Sequence, residues 1–329
     1  MKTFIHKYLT ASLPIIVVVA SNTAVHADTA AYWRHEGGPN GTLIPAGPDS
    51  VLDSSGNGNH MQTFNPSFTS ATYSSTVSPR PLQSGLANTL SLDFGPGGDD
   101  AGLNDDNYTA NKPVQTQLFT AMTLELAFNM DNVGGYQALF GKDGKPLGNG
   151  PGEDDSPIPT FKMMVRGDDF PGSVPNQLFI EFVDGDGTLN SDSHFLSSGM
   201  TIAAGQWYHV AFTLSGSAAE LWVAAETGAY TLLDSITGDF AGIDGRVLAD
   251  DAAGFSIGRG MFNNGVADWA DAKIDEVRIS DMILTPDQFL FAPVPEPSML
   301  VLGSLGGLVL WISRRSWLRT RASSAVRKL

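Results

Sequence analysis

The chain has 329 residues, with 35 acidic against 19 basic side chains, a formal net charge of −16 and no cysteine. That balance repels phosphate backbones and excludes a nucleic-acid partner, and the missing cysteines exclude a disulfide-stapled scaffold. The charge is unevenly placed: 11 basic and 34 acidic residues lie between Asp28 and Val294, while six basic residues follow Pro297.

Residues 1–27 begin with Lys2 and Lys7, continue through an apolar run from Leu13 to Ala20, and end in small residues around Val25-His26-Ala27. This is the pattern of a secretory signal cut after Ala27, because the run is far short of the roughly 20 residues a spanning helix needs. The body is expected at 28–292, one domain large enough to bury a core without staples.

Near the start of the body, "VLDSSGNGNHM" places Asp53, Ser54, Ser55, Asn57 and Asn59 around two glycines. Such oxygen-rich spacing suits a hard cation. It equally suits an Asx turn in which Asp53 accepts backbone N–H groups.

Apolar residues then alternate. Met122, Leu124, Leu126, Phe128 and Met130 share one face of "MTLELAFNM", and Leu178, Ile180 and Phe182 one face of "QLFIEFV". These are expected to be half-buried antiparallel strands. "WYHVAFTL" and "AELWVAA" flank the small-residue turn "SGSA" and predict a hairpin. "TLSLDF", "YQALFGK", "FKMMV", "FSIGR" and "KIDEVRI" add strands. "TPDQFLF" predicts one turn of helix with Thr285 as N-cap and Pro286 at its first position.

Between these strands, "VDGDGTLNSD" fails as an EF-hand, since Leu189 stands where glycine is needed and Phe195 where glutamate is needed. It is expected to be a solvated turn after Val183. His35, His60, His194 and His209 lack zinc-ligand spacing. Trp33, Trp207, Trp222 and Trp269 are the aromatics that could stack on sugar rings, and of these Trp207 and Trp222, in strands, are expected to pack in or on the sheets. Trp269, in the polar stretch "NNGVADWAD", is the candidate platform for a sugar ring.

"AYWRHEGG" with "VLDSSGNGNHM", "QWYHVAFTLSGSAAELWV", and "FSIGRG" followed by "ADAKIDEVRISDMILTPDQF" resemble the opening, central hairpin and closing strand of the laminin G-like jelly rolls. The resemblance spans most of Tyr32 to Phe291 and implies an all-β antiparallel jelly-roll sandwich of the concanavalin A-like type. It further implies a structural Ca2+ held by Asp53 and Asp275, with Asn57 in the shell. Sandwich glucanases of this fold carry paired carboxylates about 5 Å apart on one strand, in a pattern near ExDxxE, which is missing here. Asp275 and Glu276 are adjacent, so strand alternation is expected to send them to opposite faces. GxSxG is also missing, and "GNGNHM" and "GRGMFN" break GxGxxG.

The chain closes with "VPEPS", an apolar run from Met299 to Ile312, and Arg314-Arg315. A transmembrane segment is expected at 298–313, with the basic tail on the cytoplasmic side. These elements, within 293–329, resemble the PEP-CTERM sorting signal of Gram-negative bacteria. The resemblance implies that Pro295, Glu296, Pro297, Arg314 and Arg315 are read by an exosortase-type transpeptidase. The protein would meet the inner membrane transiently and then reach the envelope or extracellular matrix.

The expected function is an exported, non-enzymatic protein that binds glycan or matrix. The alternatives are a secreted glycoside hydrolase or polysaccharide lyase of the same superfamily, and a purely structural component of a biofilm matrix.

Overall fold

Alternating apolar residues become paired strands throughout the body. The computed structural model describes residues 29–63, 71–95, 107–109, 112–142, 160–167, 174–184, 193–244, 254–262 and 265–291. The strands are β1 (Thr29–Trp33), β2 (Gly47–Val51), β3 (Met61–Thr63), β4 (Thr72–Ser74), β5 (Ser91–Phe94), β6 (Asn107–Thr109), β7 (Leu118–Phe119), β8 (Met122–Met130), β9 (Tyr136–Lys142) and β10 (Phe161–Arg166). They continue as β11 (Gln177–Val183), β12 (Ser193–Thr201), β13 (Trp207–Leu214), β14 (Ala218–Ala225), β15 (Thr231–Thr237), β16 (Ile243–Asp244), β17 (Phe255–Ile257), β18 (Gly260–Phe262), β19 (Gly265–Ala267) and β20 (Ala272–Ser280).

Two eight-stranded antiparallel sheets result. The first runs β15-β14-β13-β8-β20-β5-β4, with β1 also on β20, and the second runs β12-β11-β10-β9-β17-β6-β3-β2. Their facing sides supply the core: Leu124, Leu126, Phe128, Val210 and Phe212 from the first meet Phe140, Phe161, Met163, Ile180 and Phe182 from the second. Phe212 lies 5.1 Å from Phe161 and 5.5 Å from Phe182, ring centre to ring centre, in tilted geometry. Each such ring contributes on the order of 1.5–3 kcal/mol by leaving water.

The outer face of the first sheet is also covered, which the alternation does not predict. Every residue of β8 and β13 is buried, polar ones included. Segment 281–291 straps this face: Phe289 packs with Ala211 and Leu284, and Phe291 with Leu82, Ala127 and Trp207. Thr123 holds the strap at two points, its Oγ1 donating to the Met282 carbonyl at 2.7 Å and accepting from Leu284 N at 2.9 Å. The strap is not helical, contrary to the expectation for "TPDQFLF". Thr285 caps a single turn, with Gln288 N donating to its carbonyl at 2.7 Å, and Phe289 and Phe291 then extend onto the sheet.

The expected fold class is corrected in one respect. It joined the jelly roll to a membrane-crossing helix, whereas no helix among the described residues is long and apolar enough to cross a membrane. The segment assigned to that helix, 298–313, lies outside the described residues, as do the signal segment 1–27 and the sorting residues Pro295, Glu296, Pro297, Arg314 and Arg315.

Candidate functional site

The proposed calcium ligands come first, because the structure gives each another task. Asp53 is the hub of an Asx turn. Its Oδ1 accepts Tyr32 N at 2.9 Å and Ser55 N at 2.8 Å, and its Oδ2 accepts Ser55 Oγ at 2.7 Å and Asn59 N at 2.9 Å. Four donors fill the lone-pair directions of a carboxylate. Asn57 donates its amide to the carbonyls of Thr29 and Ala30, tying the turn to β1.

Asp275 is fully buried and, among the described residues, shares no hydrogen-bond partner with Asp53. Its Oδ2 accepts Ser78 N at 3.1 Å and Asn88 Nδ2 at 2.7 Å, while its Oδ1 has no partner among the described residues. Burial, aided by the Glu276 charge, pushes its pKa up to about 8, so the carboxyl is mostly neutral at pH 7. A filled carboxylate and a neutral acid do not fit a calcium ion. Among the described residues no group of three or more His, Asp and Glu side chains is placed to hold a metal.

Asp275 and Glu276 do not obey strand alternation. Ile274 and Val277 both enter the core, so two residues fill the outward interval between them. The pairing of β20 with β8 shifts register at this point, and Glu276 adopts φ 51°, the left-handed region. The bulge coincides with a change of neighbour, since β5 pairs with 272–274 and β1 with 277–280. Glu276 then takes Arg34 in an ion pair at 2.8 Å and the Tyr32 hydroxyl in a hydrogen bond. Both carboxyls therefore lie in the buried polar layer outside the first sheet, committed to structural partners.

The open concavity is elsewhere, where edge strands β12 and β15 of the two sheets approach. A cavity of about 580 Å³ is lined there by Asp184, His194, Phe195, Thr237, Asp239 and Phe240 among others. Because β12 is an edge strand, consecutive residues from its two faces reach the same space. His194 turns inward, 5.2 Å from the Phe182 ring and edge-on to Phe240 at 5.0 Å. Phe195 turns outward and is 50% exposed, enough to present a ring face.

Asp184 leaves the end of β11 and accepts Gly242 N at 3.0 Å. Only glycine fits at 242. Its φ is 108°, and a Cβ there would sit 2.3 Å from the Phe119 carbonyl oxygen. On the rim, Asp234 Oδ2 accepts Ser197 N at 2.8 Å and joins β15 to β12.

Phe195 also ends a ladder across the second sheet. It stacks on Phe179 at 5.5 Å, and the Arg166 guanidinium lies 4.2 Å over Phe179 and 5.7 Å over Tyr136. Lys162 pairs with Asp268 at 2.9 Å. The cations of this face are thus engaged with rings and carboxylates. Burial raises the pKa of Glu181 between them, opposed by Lys162 and Arg166.

A family model for the concanavalin A-like lectin/glucanases superfamily matches residues 100–289. The chain belongs to that superfamily. A search of curated proteins returned no match. Among solved structures, domain 4 of the extracellular arabinanase AbnA from Geobacillus stearothermophilus, in complex with arabinotriose, is similar at 15% identity and TM-score 0.43, over 79% of this chain and 95% of that one. The endo-β-1,4-glucuronan lyase of the fungus Trichoderma reesei is similar at 15% identity and TM-score 0.42, over 79% and 100%. The binding domain of botulinum neurotoxin DC, in complex with SialylT, gives 9% identity and TM-score 0.44. The chain covers 79% of itself but about half, 49%, of that neurotoxin chain.

Within this concanavalin A-like sandwich, Trp269 is half-buried rather than exposed, next to the Asp268 that holds Lys162. Trp33 is in the core and donates Nε1 to the Asn59 carbonyl at 2.7 Å. Trp207 is buried under Phe291, and Trp222 packs on Phe289. The exposed ring of the site is Phe195, which in the sequence registers only as a misfit in a failed EF-hand. The available signal is an aromatic in the polar run "NSDSHFLSS", where Phe195 and Ser197 share one face of β12.

Proposed function

We propose that this is an exported, non-enzymatic glycan-binding jelly roll that works in the cell envelope or extracellular matrix. The observation that carries the reading is the edge cavity. Its volume lies in the range of small-molecule sites, and it combines an exposed ring with acceptor carboxylates and an imidazole. Rings stack on the apolar faces of sugars, and carboxylates accept their hydroxyls.

The signal-like residues 1–27 support export, and Pro295-Glu296-Pro297 with Arg314 and Arg315 supports sorting by an exosortase-type transpeptidase into the envelope. The acidic body is suited to a hydrated polysaccharide matrix. The non-enzymatic part of the reading is supported by the bulge, which commits both Asp275 and Glu276 to buried partners.

A glycan array with purified protein tests the reading. Expected are hits that weaken at least tenfold on Phe195→Ala with little change in melting temperature. A blank array would favour a structural matrix role, and release of reducing ends from any polysaccharide would establish an enzyme.

A further inference from the structure

Resting on the glycan-binding reading, the geometry of the edge cavity points, we infer, to a sugar that carries a protonated amine. Among the described residues, the charged side chains that line it, Asp184 and Asp239, are both acidic. Asp239 is exposed in the turn after β15, and Asp184 is held in place by the Gly242 N–H. The basic side chains of the adjoining face are turned to other tasks, Lys162 on Asp268 and Arg166 over Phe179 and Tyr136.

Two phenylalanine rings complete the enclosure. Phe195 offers an exposed face, and Phe240 lies beneath, in contact with His194. A ring face is negative and attracts an ammonium group, and two carboxylates within the same concavity add attraction of the same sign. Uronic acid or sulfated sugars would meet two like charges and, among the described residues, no available cation. Neutral sugars would be accepted, without using the charges. An amino sugar uses every feature: its ring packs on Phe195, its ammonium faces the carboxylates, and its hydroxyls have acceptors. Ligand class thus follows from charge sign and ring placement together.

Titration calorimetry on the full-length protein tests this with two probes, a β-1,4-linked glucosamine hexamer and its fully N-acetylated counterpart. We expect the free-amine hexamer to bind at least tenfold tighter at low salt, about 1.4 kcal/mol. The difference should close at high salt. Asp239→Asn, at an exposed position, should remove most of the difference without changing the melting temperature, and Phe195→Ala should weaken both hexamers. Equal affinity for the two hexamers, unchanged by Asp239→Asn, would overturn the amine preference and leave glycan binding standing. Binding of neither hexamer, together with a blank glycan array, would overturn both.

Discussion

Asp275 and Glu276 are consecutive in β20 yet leave it on the same side, toward the layer formed by Tyr32, Ser78, Asn88 and the strap. The left-handed φ at Glu276 is costly for a residue with a Cβ, on the order of 1–3 kcal/mol. It is held by the Arg34 ion pair and the Tyr32 hydrogen bond. The result is an acid, Asp275, enclosed beside an anion and stripped of water.

The enclosed acid sets an alkaline limit on stability. Asp275 titrates near 8 in the fold and near 4 unfolded, so the native state binds the extra proton and stability falls as pH rises between those values. Asp275→Asn keeps an oxygen for Ser78 and Asn88 without the charge. Its melting temperature is expected to decline less than the wild type's from pH 5 to 9, as differential scanning calorimetry would show. Parallel curves would refute the assignment.

The opposite sign applies to His209. Burial holds its pKa down near 3 in the fold, with Arg80 adding to the effect, while Ser78 Oγ lies 2.6 Å from Nε2 and the Phe291 ring 4.4 Å away. The unfolded chain binds a proton near 6.5 that the fold refuses, so stability present above that pH is lost as pH falls toward 3. His35, buried and also near 3, acts in the same direction. His209→Gln should flatten the acid limb of a melting-temperature profile between pH 7 and 5.

Glu125 and Arg278 pair across β8 and β20 beneath the strap. Glu125 also accepts Leu290 N at 2.6 Å, and Arg278 donates to the Gln288 carbonyl at 3.1 Å. Removing one partner leaves an enclosed charge, so Glu125→Ala is expected to cost about 3–5 kcal/mol in urea unfolding. Glu125→Leu combined with Arg278→Met should cost less than Glu125→Ala alone.

The Asp53 turn should behave as a covalent-chain feature and not as a metal centre. Asp53→Ala removes four hydrogen bonds and is expected to destabilise by about 2–4 kcal/mol. Chelator added to the wild type is expected to leave its melting temperature unchanged, and a fall on chelation would restore calcium to the turn.

The inward face was legible because its period is two. Met122 to Met130, Leu178 to Phe182 and Tyr208 to Leu214 enter the core as their alternation requires, and the "SGSA" turn joins β13 to β14 in the expected hairpin, Leu214 opposite Ala219. What escaped was everything set by a third partner. The alternation of β8 says nothing of a strap that buries its other face. A bulge cancels alternation at Asp275 and Glu276 with no glycine to announce it. Asp53 is equally a turn hub or a ligand until its donors are seen. Phe195 gains meaning only when β12 proves to be an edge, beside β15 from the other sheet.

The position of β20 carries one more consequence. The last of the described strands lies inside its sheet, bordered by β8 on one side and by β5 and then β1 on the other. During synthesis, the sides of those three neighbours that face β20 stay unpaired until residue 280 arrives. Closing pairs so distant along the polymer is slow, so the completion of this sheet comes late in folding.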